Sequence, residues 1–425
     1  MLNSVDTKMP LNSGVRSVRP VVTAVAAATM LIFTSLTVTS VGEAKDPEKL
    51  NDAPAYSSWF RYKKRVAKHW EFEGFADNPN KVRIRLTGDD EISGVETEPR
   101  WRVFVLYSKR SSAYDVAISK ILEMFAERNV QAEITVVNFR RKDERGRAAL
   151  KMANEEKMNL IFTMGSQSTA WLWKNYRNGT IPVVSVTSKD PVILGQTGSY
   201  DSGTGTNFAF TSLNMPVAAQ MAYVRELMPN LKNLAILVDS NNVSAMRTQA
   251  RPMAAMARSK GIRVLRLEVK KSEFAASELA YMVRNAVSSM KKNDINLEQS
   301  LFWVTGSTSV FREIETINSH SDRVPVLSVV PEVVKEGDAS AALSIGISFE
   351  SNAHLAALYG IKVLKGEIDV GELQVGVVTP PDIAINFRKV REIGLRIPFS
   401  FVEGASFIYD YDGKPVRSRG KNLTN

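Results

Sequence analysis

Short apolar runs alternate with segments of helical period, and the alternation is written twice along the chain. That doubled pattern restricts the fold more than any other feature of the sequence. Trp101 to Tyr107 (WRVFVLY) has the length and content of a strand, and Ala113 to Arg128 follows with Ala117, Ile118, Ile121, Leu122 and Phe125 on one helical face. Ala132 to Phe139, Leu160 to Met164 and Ile181 to Val186 predict further strands separated by helices. After a break containing Tyr200, Gly203, Gly205 and Asn207, the pattern restarts. A helix opens near Asn214, where Pro216 suits the first turn and Val217, Met221, Val224 and Met228 form one stripe. Leu234 to Val238, Ile262 to Val269, Ser300 to Val304 and Val324 to Val330 predict more strands, with helices such as Ser277 to Met290 between them. Strands buried on both faces are continuous apolar runs, so the class is α/β, with two doubly wound parallel-sheet lobes. Strand Leu343 to Ile347, helix Asn352 to Lys365, an extended stretch and helix Arg388 to Ile393 complete the pattern. Their placement decides how often the two lobes are joined.

The first segment is an export signal. Lys8, Arg16 and Arg19 precede an uncharged run from Pro20 to Gly42, the leader that the secretion machinery reads. Gly42 and Ala44 are small and the chain turns polar at Lys45, so cleavage after Ala44 is the preferred outcome. The run is also about as long as the 20 residues that span a bilayer, so an uncleaved inner-membrane anchor stays open. Either way the remainder is expected outside the cytoplasmic membrane, in the periplasm. Residues 45–99 form an irregular N-terminal extension with Pro47, Pro54, Pro79 and Pro99 and an acidic turn at Asp89, Asp90 and Glu91. Within it, Arg61, Lys63, Lys64, Arg65 and Lys68 interleave with Phe60, Tyr62 and His69 between Trp59 and Trp70. Two readings are open: contact with a membrane surface or anionic partner, and a helix laid on the next domain with its charges in water.

Composition removes several function classes. Among 425 residues there is no Cys, which excludes a disulfide, a Cys-containing zinc site, an iron–sulfur cluster and a cysteine nucleophile. The net charge of +10 is spread among alternating acids and bases rather than gathered on one motif, so it is a solvated surface and not a nucleic-acid footprint. His69, His320 and His354 have no metal-ligand spacing and are read as structural. No Gly-x-Ser-x-Gly string occurs, and Gly203-Thr204-Gly205 lacks the third glycine of a dinucleotide fingerprint and the lysine of a phosphate loop. No catalytic residue, metal or cofactor is expected, and the chain is not read as an enzyme.

In open parallel sheets the loops that leave the carboxyl ends of strands form the ligand crevice, because helix N-termini and free N–H groups gather there. Here those loops are Gly165-Ser166-Gln167-Ser168, Ser188-Lys189-Asp190-Pro191, Asp239-Ser240-Asn241-Asn242 and Thr305-Gly306-Ser307-Thr308. All are small and polar. Taken singly, each is an ordinary set of caps and turn formers. Converging from two lobes, they suit hydrogen bonding of a small polar ligand better than covalent chemistry.

The stretches NLIFTMGSQSTAWLW, IPVVSVTSKDPVILG, the crossover with Asn207, LMPNLKNLAILVDSNN, VPVLSVVPEVVKEGDASAALSIGISF, HLAALYGIKVLKGEI and INFRKVREIGLRIPFSFVEGAS, in this order from about Trp101 to Asp410, resemble the ABC-transporter substrate-binding proteins of the tryptophan/tyrosine-binding type. The resemblance implies a type I periplasmic-binding fold, whose lobes close about a hinge on a small molecule and present it to a membrane permease. It implies lobe one at 100–206 and 347–372, lobe two at 207–346 and 373–410, and a C-terminal tail at 411–425. Carried over to this chain, the ligand-binding positions are Ser166, Gln167, Asp190 and Asn207 from the first lobe or crossover, and Asp239, Asn241, Asn242, Thr305, Ser307 and Thr308 from the second. The implied partners are an ABC permease and a small polar solute, an amino acid or related compound among the candidates.

The chain departs from the family at three points. Thr305-Gly306-Ser307-Thr308 stands where an Asp is often found to pair with a ligand ammonium, so an amino acid would need another carboxylate such as Asp239. Burying an unpaired ammonium costs several kcal/mol, so a different ligand chemistry is the other way out. Val390 stands where Ala is common, and the extension has no counterpart. A second function class, an envelope sensor or interaction module reusing the binding fold, would use Trp59 to Trp70 as its contact surface.

Overall fold

The computed structural model describes residues 54–87 and 100–423. The leader, its cleavage point and the acidic turn at Asp89 to Glu91 lie outside the described residues. Strands β1 (Trp70–Gly74), β2 (Lys81–Leu86), β3 (Trp101–Tyr107), β4 (Ala132–Asn138), β5 (Leu160–Met164), β6 (Val183–Val186) and β7 (Phe208–Ala209) form a seven-stranded sheet in the order β1-β2-β4-β3-β5-β6-β7. From β4 to β7 every pairing is parallel. Val103, Val105 and Tyr107 point from β3 to one face and Phe104 and Leu106 to the other, and all are buried. Helices Ser112–Glu127 and Phe349–Leu364 cover the first face, and Asp143–Glu155 and Gly165–Tyr176 the second. Burial on both sides is why these strands contain so few polar residues.

The second sheet repeats the plan. After β8 (Thr211–Ser212) come β9 (Asn233–Asp239), β10 (Arg263–Val269), β11 (Ser300–Val304), β12 (Val326–Ser328), β13 (Leu343–Gly346), β14 (Gly376–Val377), β15 (Asp382–Asn386), β16 (Ala405–Tyr409), β17 (Pro415–Ser418) and β18 (Lys421–Asn422). All but β8 and β14 join in a nine-stranded sheet ordered β10-β9-β11-β12-β13-β15-β16-β17-β18. The residues expected as a tail therefore end that sheet in an antiparallel meander.

The lobes are joined repeatedly. The chain leaves the first sheet after Ala209, past the expected boundary at 206, because Phe208–Ala209 still pair with β6. It returns after β13 as helix Phe349–Leu364, whose buried Ala353, Ala356, Ala357 and Gly360 let it lie close against lobe one. It leaves again through β14, which pairs in parallel with β8, Thr211 opposite Gly376 and Ser212 opposite Val377.

The N-terminal extension corrects the membrane-contact expectation. Trp59, Phe60 and Trp70 are at most 3% exposed. Trp59 Nε1 donates to the Pro79 carbonyl at 2.7 Å and Trp70 Nε1 to the Leu122 carbonyl at 3.1 Å. Trp59 meets Tyr107 edge to face at 5.8 Å, and Tyr62 stacks on Phe72 at 3.7 Å. Aromatic groups buried in this way have no face left for lipid. Nor is the segment one long helix: it holds short 3₁₀ turns, Ala55–Ser58 and Lys64–Val66, ahead of the β1–β2 hairpin. The hairpin pairs antiparallel with β4 and covers the edge of lobe one's sheet. Arg65 and Lys63 reach Glu350 at the start of helix Phe349–Leu364, and Arg419 from the β17–β18 hairpin binds the same carboxylate.

Trp70→Ala should lower stability by about 3–5 kcal/mol in chemical denaturation, the cost of emptying a large buried site; a residue merely resting on a surface would cost less than about 0.5 kcal/mol. Glu332, in the turn after β12, accepts from Phe349 N at 2.6 Å while its Oε2 is buried without a partner among the described residues. Burial, reinforced by Asp382 and Glu350, raises its pKa to about 7. The folded state then keeps a proton that the unfolded chain loses above its ordinary value of 4.5, so this contribution is complete below that pH and is lost as pH rises through about 7. The melting temperature of Glu332→Gln should accordingly fall less than that of the parent protein between pH 5 and 8.

Candidate functional site

The carboxyl ends of the parallel strands carry the sequence-predicted loops, and the structure shows what each side chain does there. Gly165 opens helix Gly165–Tyr176 directly at the end of β5 with φ +78°, and a Cβ at this position would lie 2.1 Å from the Tyr114 hydroxyl. Only glycine permits so abrupt a start. Ser166 Oγ accepts from Lys189 N at 2.9 Å, which ties this helix start to the loop after β6. Gln167 is exposed. Asp190 is 2% exposed and fully engaged: Oδ1 accepts from Ile193 N at 2.9 Å, and Oδ2 takes the Tyr200 hydroxyl. Burial and the adjoining Asp190 push the Tyr200 pKa well up.

On the second lobe Asp239 organises the rim. Its carboxylate accepts from Asn241 N at 2.8 Å, Ser272 Oγ at 2.9 Å and Ser309 Oγ at 2.5 Å. Burial raises its pKa, but the bonds from Ser309, Asn241 and Ser272 outweigh that and hold it below the usual carboxylate value. Thr305 Oγ1 donates to the Leu237 carbonyl at 2.9 Å and lies 3.1 Å from Ser307 Oγ, which also accepts from Asn242 Nδ2 at 3.4 Å. Asn242 caps its own helix by accepting from Ala245 N. Asn241 is exposed and donates to the Lys270 carbonyl, and Thr308 opens the short helix after the loop.

The two rims meet. Asp190 N donates to Asn214 Oδ1 at 3.3 Å, and Asn214 Nδ2 continues to the Thr248 carbonyl at 3.1 Å. Arg247 donates to the Ile193 carbonyl at 3.2 Å. Gly306 N donates to Gln249 Oε1 at 2.9 Å, and a Cβ built on Gly306 would fall 2.2 Å from Lys189 Nζ. Arg247, Thr248 and Gln249 belong to a π-helical segment, Met246–Ala250, of the kind that often marks functional sites. Ser166 and Asp190 are therefore linked through Lys189 and Asn214 to the Thr305–Ser307–Asp239 network and so to Asn241 and Asn242.

Asn207 stands elsewhere. Its amide donates to the Ile181 carbonyl and its own carbonyl accepts from Val183 N, which places it at the start of β6, about 10 Å of strand away from the rim at 3.3 Å per residue. It closes the base of the sheet instead of facing the other lobe. Sequence reasoning passed over Lys189, which lies inside a loop it had singled out, and Asn214, Arg247 and Gln249, whose roles arise only when the lobes come together. Lys189 is 7% exposed, and burial pushes its pKa down to about 8. Lys109, after β3, is half-buried; burial first, then Arg141 and Arg312, lower its pKa while Asp239 opposes them.

Residues 105–406 match the family model described as ABC transporter substrate binding protein. The chain belongs to that family. Solved structures agree on the fold of this substrate-binding protein. It is similar to a conserved domain protein from Vibrio cholerae (TM-score 0.58, 17% identity, 73% of this chain and 99% of that chain covered). It is similar also to an ABC domain in complex with L-Trp from Streptococcus pneumonia (0.57, 19%, 72% and 99%). A third likeness is the ligand-free, open structure of a substrate binding protein with adhesive properties from Clostridium difficile (0.55, 18%, 72% and 98%). The fold is the type I periplasmic-binding arrangement. No curated protein matches the sequence.

Because Asp239 holds the second rim together, Asp239→Asn should cost about 1–3 kcal/mol, the effect of leaving buried hydroxyls without their acceptor, read by chemical denaturation.

Proposed function

We propose that the protein is an extracytoplasmic solute-binding component that captures a small polar molecule between its lobes and presents it to an ABC-type permease. The observation that carries this reading is the polar chain that spans both rims, from Ser166 and Lys189 to Gly306, Ser307 and Asp239. The leader, the doubled sheet and the family support it. The β8–β14 ladder and the crossing at Ser348–Phe349 are the hinge about which the lobes close, excluding water and strengthening each polar contact. By this reading the role is binding, and the rim side chains among the described residues form hydrogen bonds with one another and with the neighbouring backbone. The location is periplasmic by this reading, and the bound L-Trp of the Streptococcus relative supports a small-molecule guest.

The alternative, an envelope sensor or interaction module, depended on Trp59 to Trp70 as a contact surface. Burial of Trp59, Phe60 and Trp70 removes that support. The test of uptake binding is a metabolite screen by thermal shift, followed by small-angle scattering with each hit. A genuine solute should raise the melting temperature and reduce the radius of gyration; a screen without hits, or hits that leave the lobes unmoved, would count against the proposal.

A further inference from the structure

The ammonium of Lys189 takes no part in the hydrogen bonds that tie the two rims together. It extends from lobe one to the Cα of Gly306 on lobe two, it is 7% exposed, and it has no hydrogen-bond or ion-pair partner among the described residues. On the same loop the Thr187 and Ser188 hydroxyls are also buried without hydrogen-bond partners among the described residues. The loop's backbone is bonded through Lys189 N to Ser166, in the first turn of the twelve-residue helix Gly165–Tyr176, where N–H groups favour an anion. Among the described residues no acidic side chain pairs with Lys189. Asp190 is occupied by Ile193 and Tyr200, and Asp239 by Asn241, Ser272 and Ser309. A desolvated ammonium without a counter-charge is costly to keep, and a ligand that brings a negative charge relieves that cost.

Resting on the solute-binding reading and sharpening it, we propose that the guest carries an anionic oxygen group, carboxylate or phosphate, which docks on Lys189 beside Gly306, and that small acids without an ammonium are the preferred class. A zwitterionic amino acid fits worse, because its ammonium would lie near that of Lys189 while the Asp190 and Asp239 carboxylates already accept hydrogen bonds from the rim. The residue that sets this preference is Lys189.

The test uses the full exported chain in calorimetry and thermal shift, with succinate, L-lactate, glycerol 3-phosphate and inorganic phosphate in one panel and L-tryptophan, L-lysine and D-glucose in the other. Sodium chloride at matched ionic strength is the control. At least one acid should bind and stabilise beyond the salt control, the arm that responds distinguishing carboxylate from phosphate. Lys189→Met should weaken that binding by about 10- to 100-fold, as expected for loss of a charge-assisted hydrogen bond, while its ligand-free melting temperature does not fall. Lys189→Arg should stay within a few-fold of the parent. Gly306→Ala, whose added methyl meets the end of the lysine rather than backbone, should keep the fold and weaken the same acid. The inference is overturned if the second panel binds and the acids do not, or if Lys189→Met binds the acid like the parent. Silence from both panels removes the solute-binding reading itself, and this inference with it.

Discussion

A two-residue parallel ladder, Thr211–Ser212 against Gly376–Val377, is the constraint on which the relation of the lobes rests. Each half is stable by ordinary means, a parallel sheet buried on both faces, and nothing in that packing fixes where the other half stands. The crossovers do. Because the two strands that leave lobe one pair with one another rather than with either sheet, they form a narrow seam between the two cores. The helix Phe349–Leu364 adds a second constraint, since it enters from lobe two and is buried in lobe one.

The rims inherit their character from this arrangement. Parallel strands place every loop of one end together, and the seam turns two such ends toward each other. Carboxylates at the rim are used internally, Asp190 to close a turn and Asp239 to hold Ser272 and Ser309, whereas Lys189 has no ion-pair partner among the described residues. The resulting imbalance is local: the overall charge of +10 is distributed over the chain and predicts nothing about the cleft.

The sheets were legible in the sequence because double-sided burial leaves an unmistakable run of apolar residues; β3, β5 and β11 coincide with the stretches read as strands. The extension was not. Trp59 to Trp70 has one composition whether its rings face lipid or a core, and its partners, Pro79, Tyr107 and Leu122, lie far along the chain. The alternation in Lys81–Leu86 (KVRIRL), with Val82 and Ile84 buried, was the available signal for a strand. At the site, the loop positions were legible but their duties were not. Ser166 and Asp190 are small polar residues at strand ends, which is all that spacing can say. Asn207 falls at the wrong end of β6 because polar residues flank a strand on both sides. The isolation of Lys189 is a property of what surrounds it, and no single-chain pattern encodes the absence of a neighbour.

Glu350 gathers Lys63 and Arg65 from near the beginning of the described chain and Arg419 from near its end. The cluster is complete only when the β17–β18 hairpin is in place. Shortening the chain before that hairpin would leave the β8–β14 ladder intact and take from Glu350 only the Arg419 arm of its cluster.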